Sequence, residues 1–343
     1  MGHHLQATFL DGVYTHMSDS TEKIHQDFSH PKTPFEYLRI YLTGFVMGCA
    51  DIVPGVSGGT IAFISGIYET LINAIKSFNL TAIRKALKFD IGGFIDHTAL
   101  RFLITLALGI GTAVLLLANL LSDLLENQPT YIFAFFAGLI IASILAIGIT
   151  VKWGLPSLIA FIVGAVFAFV IVSLPETGDG DHSTITLFLS GAVAICAMIL
   201  PGISGSFILL ILGQYKYILE AVKGFEFGVI IPVALGCVVG IIVFSRVLSW
   251  LLKNYVDVTV AVLTGFMLGS LKLIWDNATN AESVAKMNSS GALDGGQIVF
   301  ALALMVAGFI LVSLIDHMQS RDNPVMRLVL PKKETPAPAD SVA

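Results

Sequence analysis

One short run of residues constrains this chain more than any other feature, because it occurs twice. Pro54-Gly55-Val56-Ser57-Gly58-Gly59-Thr60-Ile61 returns as Pro201-Gly202-Ile203-Ser204-Gly205-Ser206-Phe207-Ile208. The register then holds without a gap: Cys49-Ala50 matches Cys196-Ala197, Gly66 matches Gly213, Tyr68 matches Tyr215, Ala74 matches Ala221 and Lys76 matches Lys223. A looser echo pairs Gly138 and Ser143 with Gly265 and Ser270. The chain therefore reads as two copies of one unit, over about 37–174 and 184–315.

Composition says what medium these units occupy. Of 343 residues, 55% are hydrophobic and 13% charged, and the mean hydropathy is +0.85. A helix needs about 20 apolar residues to cross a bilayer, so the apolar content suffices for roughly eight to ten crossings. Such a surface excludes a soluble or disordered chain. Ten apolar segments can be marked: 37–50, 52–75, 102–122, 131–150 and 155–174 in the first unit, and 184–200, 203–221, 228–251, 258–275 and 296–315 in the second. The expected fold is an all-α polytopic membrane protein. Five segments per unit is an odd number, so the second unit enters the membrane upside down. The first two segments of each unit are either two spans or a re-entrant hairpin; both leave an odd number of crossings. Inverted repeats with interrupted helices are a hallmark of secondary transporters.

The repeated run has a direct physical reading. Pro54-Gly55 and Pro201-Gly202 sit inside apolar segments, where they break the helix and free backbone groups. Non-helical backbone at that depth must be covered by protein or line a polar cavity. The helix restarting after each break turns its positive N-terminus into the protein. Two such ends form a candidate phosphate site: Gly58, Gly59, Gly205 and Ser206 allow close backbone approach, and Ser57, Thr60 and Ser204 supply hydroxyls. The plainer alternative is a pair of packing breaks.

Charges inside apolar segments are costly and usually functional. Asp51 lies deep in the first segment, where it either carries a coupling proton or sodium ion or merely caps the broken helix. Its counterpart is Met198, so the site is asymmetric. Glu69, aligned with Lys216, is a second candidate for ion coupling. Arg39, Arg246 and Lys272 lie near segment ends, where snorkelling explains them. With Lys216 they are also candidate ligands for an anionic headgroup. The pairs Gly236/Gly240 and Gly265/Gly269 read as helix-packing faces.

Positive charge orients the chain. The 76–101 loop carries Lys76, Arg84, Lys85, Lys88 and Arg101 and is placed in the cytoplasm, while 123–130 and 175–183 carry no Lys or Arg. With Arg246, Lys253 and the tail from Arg321 also inside, both termini are expected to be cytoplasmic. Lys216, Lys223 and Lys272 fall on the outer side, against the trend. Within 76–101, Leu80, Ile83 and Leu87 form one helical stripe with the cations beside it, which suggests a basic amphipathic helix on the membrane surface, or else a solvated loop helix. Segments 1–34 and 321–343 read as flexible ends, the opening Met-Gly-His-His as a tag remnant. Three cysteines, Cys49, Cys196 and Cys237, all in apolar runs, argue against a disulfide framework. No motif calls for a cofactor, a metal or a nucleic acid. Nothing bars an oligomer.

The runs Gly48-Cys-Ala-Asp51-Ile-Val-Pro-Gly-Val-Ser-Gly-Gly-Thr60 and Leu200-Pro-Gly-Ile-Ser-Gly-Ser206, with the stretch Gly265–Trp275, resemble the signature of the bacterial polyprenyl-phosphate transporters, first catalogued as domain-of-unknown-function family 368. The resemblance covers about residues 37–315. It implies a transporter, not an enzyme, that returns undecaprenyl phosphate from the outer to the inner leaflet of the bacterial inner membrane for cell-wall synthesis. The runner-up is a membrane-embedded polyprenyl-pyrophosphate phosphatase. Those enzymes share inverted repeats and a Pro-Gly-x-Ser motif, but theirs continues with arginine where this chain has Gly58 and Gly205. Phosphoryl transfer also needs fixed cations or a metal and a base for water. Here there is neither a glutamate pair four apart nor a Walker lysine. An ion channel or scaffold would leave the paired motif unexplained.

Overall fold

The structure, a computed structural model, describes residues 30–53, 56–175, 180–288 and 292–320. The N-terminal segment, the basic tail, and Pro54 and Gly55 of the first break lie outside them. Among the described residues every regular element is a helix. The first unit runs α1 (Pro34–Ile52), α2 (Gly58–Ile64), α3 (Tyr68–Lys76), α4 (Leu80–Leu87), α5 (Ile91–His97), α6 (Leu100–Asn127), α7 (Pro129–Gly148) and α8 (Leu155–Val172). The second runs α9 (Thr184–Ile199), α10 (Gly205–Ile211), α11 (Tyr215–Lys223), α12 (Phe227–Asn254), α13 (Val256–Thr279), α14 (Ala281–Met287) and α15 (Gly295–Ser320).

Among the described residues six helices are long and apolar enough to cross a membrane: α6, α7, α8, α12, α13 and α15, three from each unit. The protein is a multi-pass membrane protein. The segments 52–75 and 203–221, each marked as one apolar run, each divide into two short helices. Gly66 and Gly213 make the bends, with φ of 70° and 67°, a left-handed conformation that costs glycine nothing. In the second unit α10 and α11 meet at 111°.

Local chemistry explains the helix ends. Pro34 opens α1 behind Thr33, whose hydroxyl accepts from the Glu36 N–H at 3.2 Å. Ser183 caps α9 at the Thr186 N–H. The Thr186 and Ser183 hydroxyls and the Ser183 N–H hold the Asp181 carboxyl below the usual carboxylate range.

Packing follows the repeat in two ways. Within each unit the first helix lies against the first long span, α1 on α6 and α9 on α12. Between units the exchange is mutual: α8 packs on α13, and α15 packs on α7. Small residues set these contacts, as expected for helices in lipid. A Cβ on Gly48 would lie 2.8 Å from the Ile110 carbonyl oxygen, and one on Gly240 would lie 2.6 Å from that of Ala192. Gly236, Gly265 and Gly269 likewise meet the backbones of α9 and α8, so both expected packing pairs are packing faces. Cys49, Cys196 and Cys237 are free thiols. The main core gathers around α2 and α3 and includes Val53, Val56, Ile67, Ile72, Met267 and Ile274.

Candidate functional site

The two breaks meet. Ser57 donates through its hydroxyl toward the carbonyls of Met198 (3.3 Å) and Leu200 (3.2 Å), carbonyls left free where α9 ends. The Gly202 N–H donates to the Thr60 hydroxyl at 3.0 Å, and the Tyr68 hydroxyl donates to the Ile199 carbonyl at 3.2 Å. The α2–α3 hairpin is thus bonded across to the break of the other unit. Gly202 has φ of 86°, and a Cβ there would lie 2.7 Å from the Met267 Cα of α13. Only glycine fits this turn without displacing α13.

Between the breaks lies a small cleft of about 100 Å³, lined by Asp51 and Ser57 from the first unit and by Met198, Ile203, Ser204, Gly205 and Ser206 from the second. Its two sides differ. On the first, the Asp51 carboxylate accepts the Gly58 N–H at 2.8 Å and the Ser57 hydroxyl accepts the Gly59 N–H at 3.1 Å, so the start of α2 is satisfied from within. On the second, no side chain caps α10, and the Ser204 and Ser206 hydroxyls lie 2.8 Å apart. With Met198 where the first unit has Asp51, the start of α10 presents N–H groups and hydroxyls with no carboxylate of its own.

The other expected site residues are distributed as follows. Thr60 and Gly59 are buried beneath the cleft, not on its wall; Thr60 holds Gly202, and a Cβ on Gly59 would lie 2.5 Å from the Ile199 carbonyl oxygen. Pro201 and Gly202 form the turn between α9 and α10. None of Arg39, Lys216, Arg246 or Lys272 lines the cleft. Lys216 and Arg246 are exposed, Arg39 is half-buried, and Lys272 pairs with Asp276 one helical turn away, with its ammonium 5.8 Å from the centre of the Phe169 ring. Glu69 is exposed at the start of α3, away from Asp51's cleft. Among the described residues no group of three or more His, Cys, Asp or Glu side chains is arranged to hold a metal ion. Sequence reasoning gave Met198 only as the counterpart of Asp51 and passed over Ile203; together they make one wall of the cleft apolar. Their signal was present in the repeat, since both align with residues of the first break.

Comparison with known proteins identifies the family. The sequence profile of a family described as undecaprenyl phosphate translocase-like matches residues 47–292, which include both breaks and the cleft. A polyprenyl-phosphate transporter of Vibrio cholerae is 47% identical over 240 residues, covering 70% of this chain and 78% of the relative. A polyprenyl-phosphate transporter of Staphylococcus aureus is 32% identical over 255 residues, covering 69% of this chain and 85% of the relative. No solved structure matches. With most of its length matched, and both breaks inside the match, the chain belongs to the undecaprenyl phosphate translocase-like family, a family of membrane transporters and not of enzymes.

Proposed function

We propose that the protein carries undecaprenyl phosphate from the outer to the inner leaflet of a bacterial inner membrane, with the phosphate held in the cleft between the two breaks. The observation that carries this reading is the one-sided cleft: an uncapped α10, the Ser204/Ser206 hydroxyl pair, and walls drawn from both units. Free N–H groups and hydroxyls at a helix start suit a phosphate monoester. Ile203 and Met198 suit the first carbons of a lipid. The names of the relatives supply the substrate class.

The mutual packing of α8 on α13 and α15 on α7 supports an inverted repeat. Mutual exchange is the mark of a two-fold relation, since a simple translation would pair the units in one direction only. Three long spans per unit is an odd number, which turns that axis into the membrane plane, provided each hairpin returns to the side it entered. The excess of Lys and Arg in 76–101 supports a cytoplasmic position for that loop and for both termini.

Asp51 is the coupling group in this reading. Its carboxylate occupies the Gly58 N–H, an anion's place beside the cleft. Neutralised by a proton or a sodium ion, it releases that N–H to the substrate phosphate; recharged, it competes the phosphate away. The test is purified protein in vesicles with a labelled polyprenyl phosphate, read for flipping, phosphate release and ion flux. Flipping without phosphate release supports a transporter; phosphate release would establish the phosphatase, and ion flux without substrate a channel. Asp51→Asn should bind the lipid phosphate yet lose the pH or sodium dependence of flipping. Wild-type ion dependence in that variant would leave the carboxylate as a helix cap alone.

A further inference from the structure

The first unit carries an arm that the second lacks, just as α14 has no counterpart in the first. Phe78 and Phe225 align, but the second unit enters α12 at Phe227, whereas the first forms α4 and α5 before entering α6 at Leu100. This arm is a folded piece and not a slack loop. Asn79 caps α4 by accepting the N–H groups of Thr81 (2.9 Å) and Ala82 (3.2 Å), and the same oxygen lies 3.2 Å from His97 Nε2 at the end of α5. Phe78 and Phe94 meet edge to face, and Lys85 pairs with Asp90 at 3.4 Å.

So ordered an arm should bury its apolar side, and this one does not. Leu80, Ile83 and Leu87 share one stripe, and Phe89 and Ile91 continue it around the turn; Leu80 is 70% exposed, Leu87 74% and Phe89 86%. Large apolar side chains exposed in a continuous row mark an interaction surface. The position of the arm says what covers it. Three residues beyond α5 the chain becomes α6, a span whose outward Ile104 and Leu108 begin the lipid-facing belt, so the stripe lies at the end of that belt. Arg84 and Lys88, both exposed, flank the stripe. An apolar stripe with cations at its edge, at the mouth of a span, is what a helix needs to lie in an anionic lipid interface.

We propose that α4 and α5 form an interfacial anchor that binds the anionic surface of one leaflet, with Leu80, Ile83, Leu87, Phe89 and Ile91 sunk among the upper acyl chains and Arg84 and Lys88 among the headgroup phosphates. The anchor is independent of what the cleft carries. Because this arm occurs in the first unit only, it distinguishes one face of the protein from the other and holds that unit's end at the membrane surface.

Spin labels test this on the full chain in vesicles, with Cys49, Cys196 and Cys237 replaced by alanine and a thermal melt matching the parent. Labels on Leu87→Cys and Phe89→Cys should collide with oxygen several-fold more, relative to a water-soluble nickel complex, than a label on Thr81→Cys. That ratio should rise when phosphatidylglycerol is added to phosphatidylcholine vesicles, and R84E/K88E should remove the rise while leaving helix content unchanged. Free collision of the 87 and 89 labels with the nickel complex would overturn the anchor. So would protection that disappears as the protein is diluted in lipid, which would assign the stripe to a second copy. Equal ratios on both lipid compositions would overturn the anionic preference.

Discussion

The hairpins α2–α3 and α10–α11 descend from the same repeated sequence, yet they occupy opposite environments. In the first, Ile61, Ala62, Ile64, Ile67, Tyr68 and Ile72 are all buried, and the hairpin touches α7, α9, α12 and α15. In the second, helix α10 buries only Gly205 and α11 only Ala221, and the pair packs chiefly on α9 and α12 of its own unit. Tyr68 is 3% exposed and hydrogen-bonded, while its counterpart Tyr215 is 36% exposed. The substitutions between them match the difference. Thr60, Ala62 and Ser65, small enough to be enclosed, with Thr60 bonded across to Gly202, are replaced by Phe207, Leu209 and Leu212, which suit lipid contact. One hairpin is the floor of the cleft and the other its loosely held wall. In a transporter the loosely held wall is the part free to move, because elements that rearrange come from the low-stability end of a structure.

The comparison breaks most severely at Gly202. Gly202→Ala forces a left-handed alanine against the backbone of α13, and unfolding in detergent should show a loss of about 2–5 kcal/mol. Gly205→Leu is no clean probe of phosphate binding, because its Cβ would lie 2.6 Å from the Ala194 carbonyl oxygen. A cleaner probe is the pair Ser204→Ala/Ser206→Ala. Stability should change by less than about 0.5 kcal/mol, while lipid-phosphate affinity, measured by titration, should fall roughly tenfold to a hundredfold, the worth of hydrogen bonds to a charged group. Ser57→Ala should lose stability as well, because Ser57 ties the two breaks together.

Next in size, Thr60→Val leaves the buried Gly202 N–H without its acceptor and should cost about 1–3 kcal/mol. The aligned exchange Phe207→Val should be nearly neutral. The tyrosine pair gives the smallest effect and the sharpest comparison. Tyr68→Phe should cost about 0.5–1.5 kcal/mol and Tyr215→Phe less than about 0.5 kcal/mol, both read as thermal unfolding. Equal costs would mean that the two hairpins are equally embedded and would sink the division into floor and wall.

Much of this was legible in the residues. Periodicity and length located all six long spans to within a few residues, because an apolar run of that length has little alternative in a membrane. The repeat located the breaks. It also contained the second bend, since Gly66 aligns with Gly213, but a glycine in an apolar run does not announce a left-handed turn. The cations were harder. Arg39, Lys216, Arg246 and Lys272 were grouped by chemistry, and chemistry alone does not say how far a residue lies from a cleft assembled across two units. Lys272 had its partner at Asp276, four residues on, where helix geometry already placed it. For Asp51 the sequence left ion carrier and cap side by side; the hydrogen bond to Gly58 shows the cap, and the proposed coupling depends on its being released.

The exchange of α8 and α15 between units has a consequence for how the protein is made. Helix α8 leaves the ribosome before α13 has been synthesised, and synthesis adds only about 5–20 residues each second. For several seconds the first unit must therefore sit in the bilayer with α8 lacking its principal neighbour and with the place of α15 on α7 filled by lipid. A first unit expressed alone would remain in that half-assembled state, a substrate for membrane quality control. Supplied later as a separate polypeptide, the second unit could rescue it only by inserting α13 and α15 beside helices that had kept their seats open.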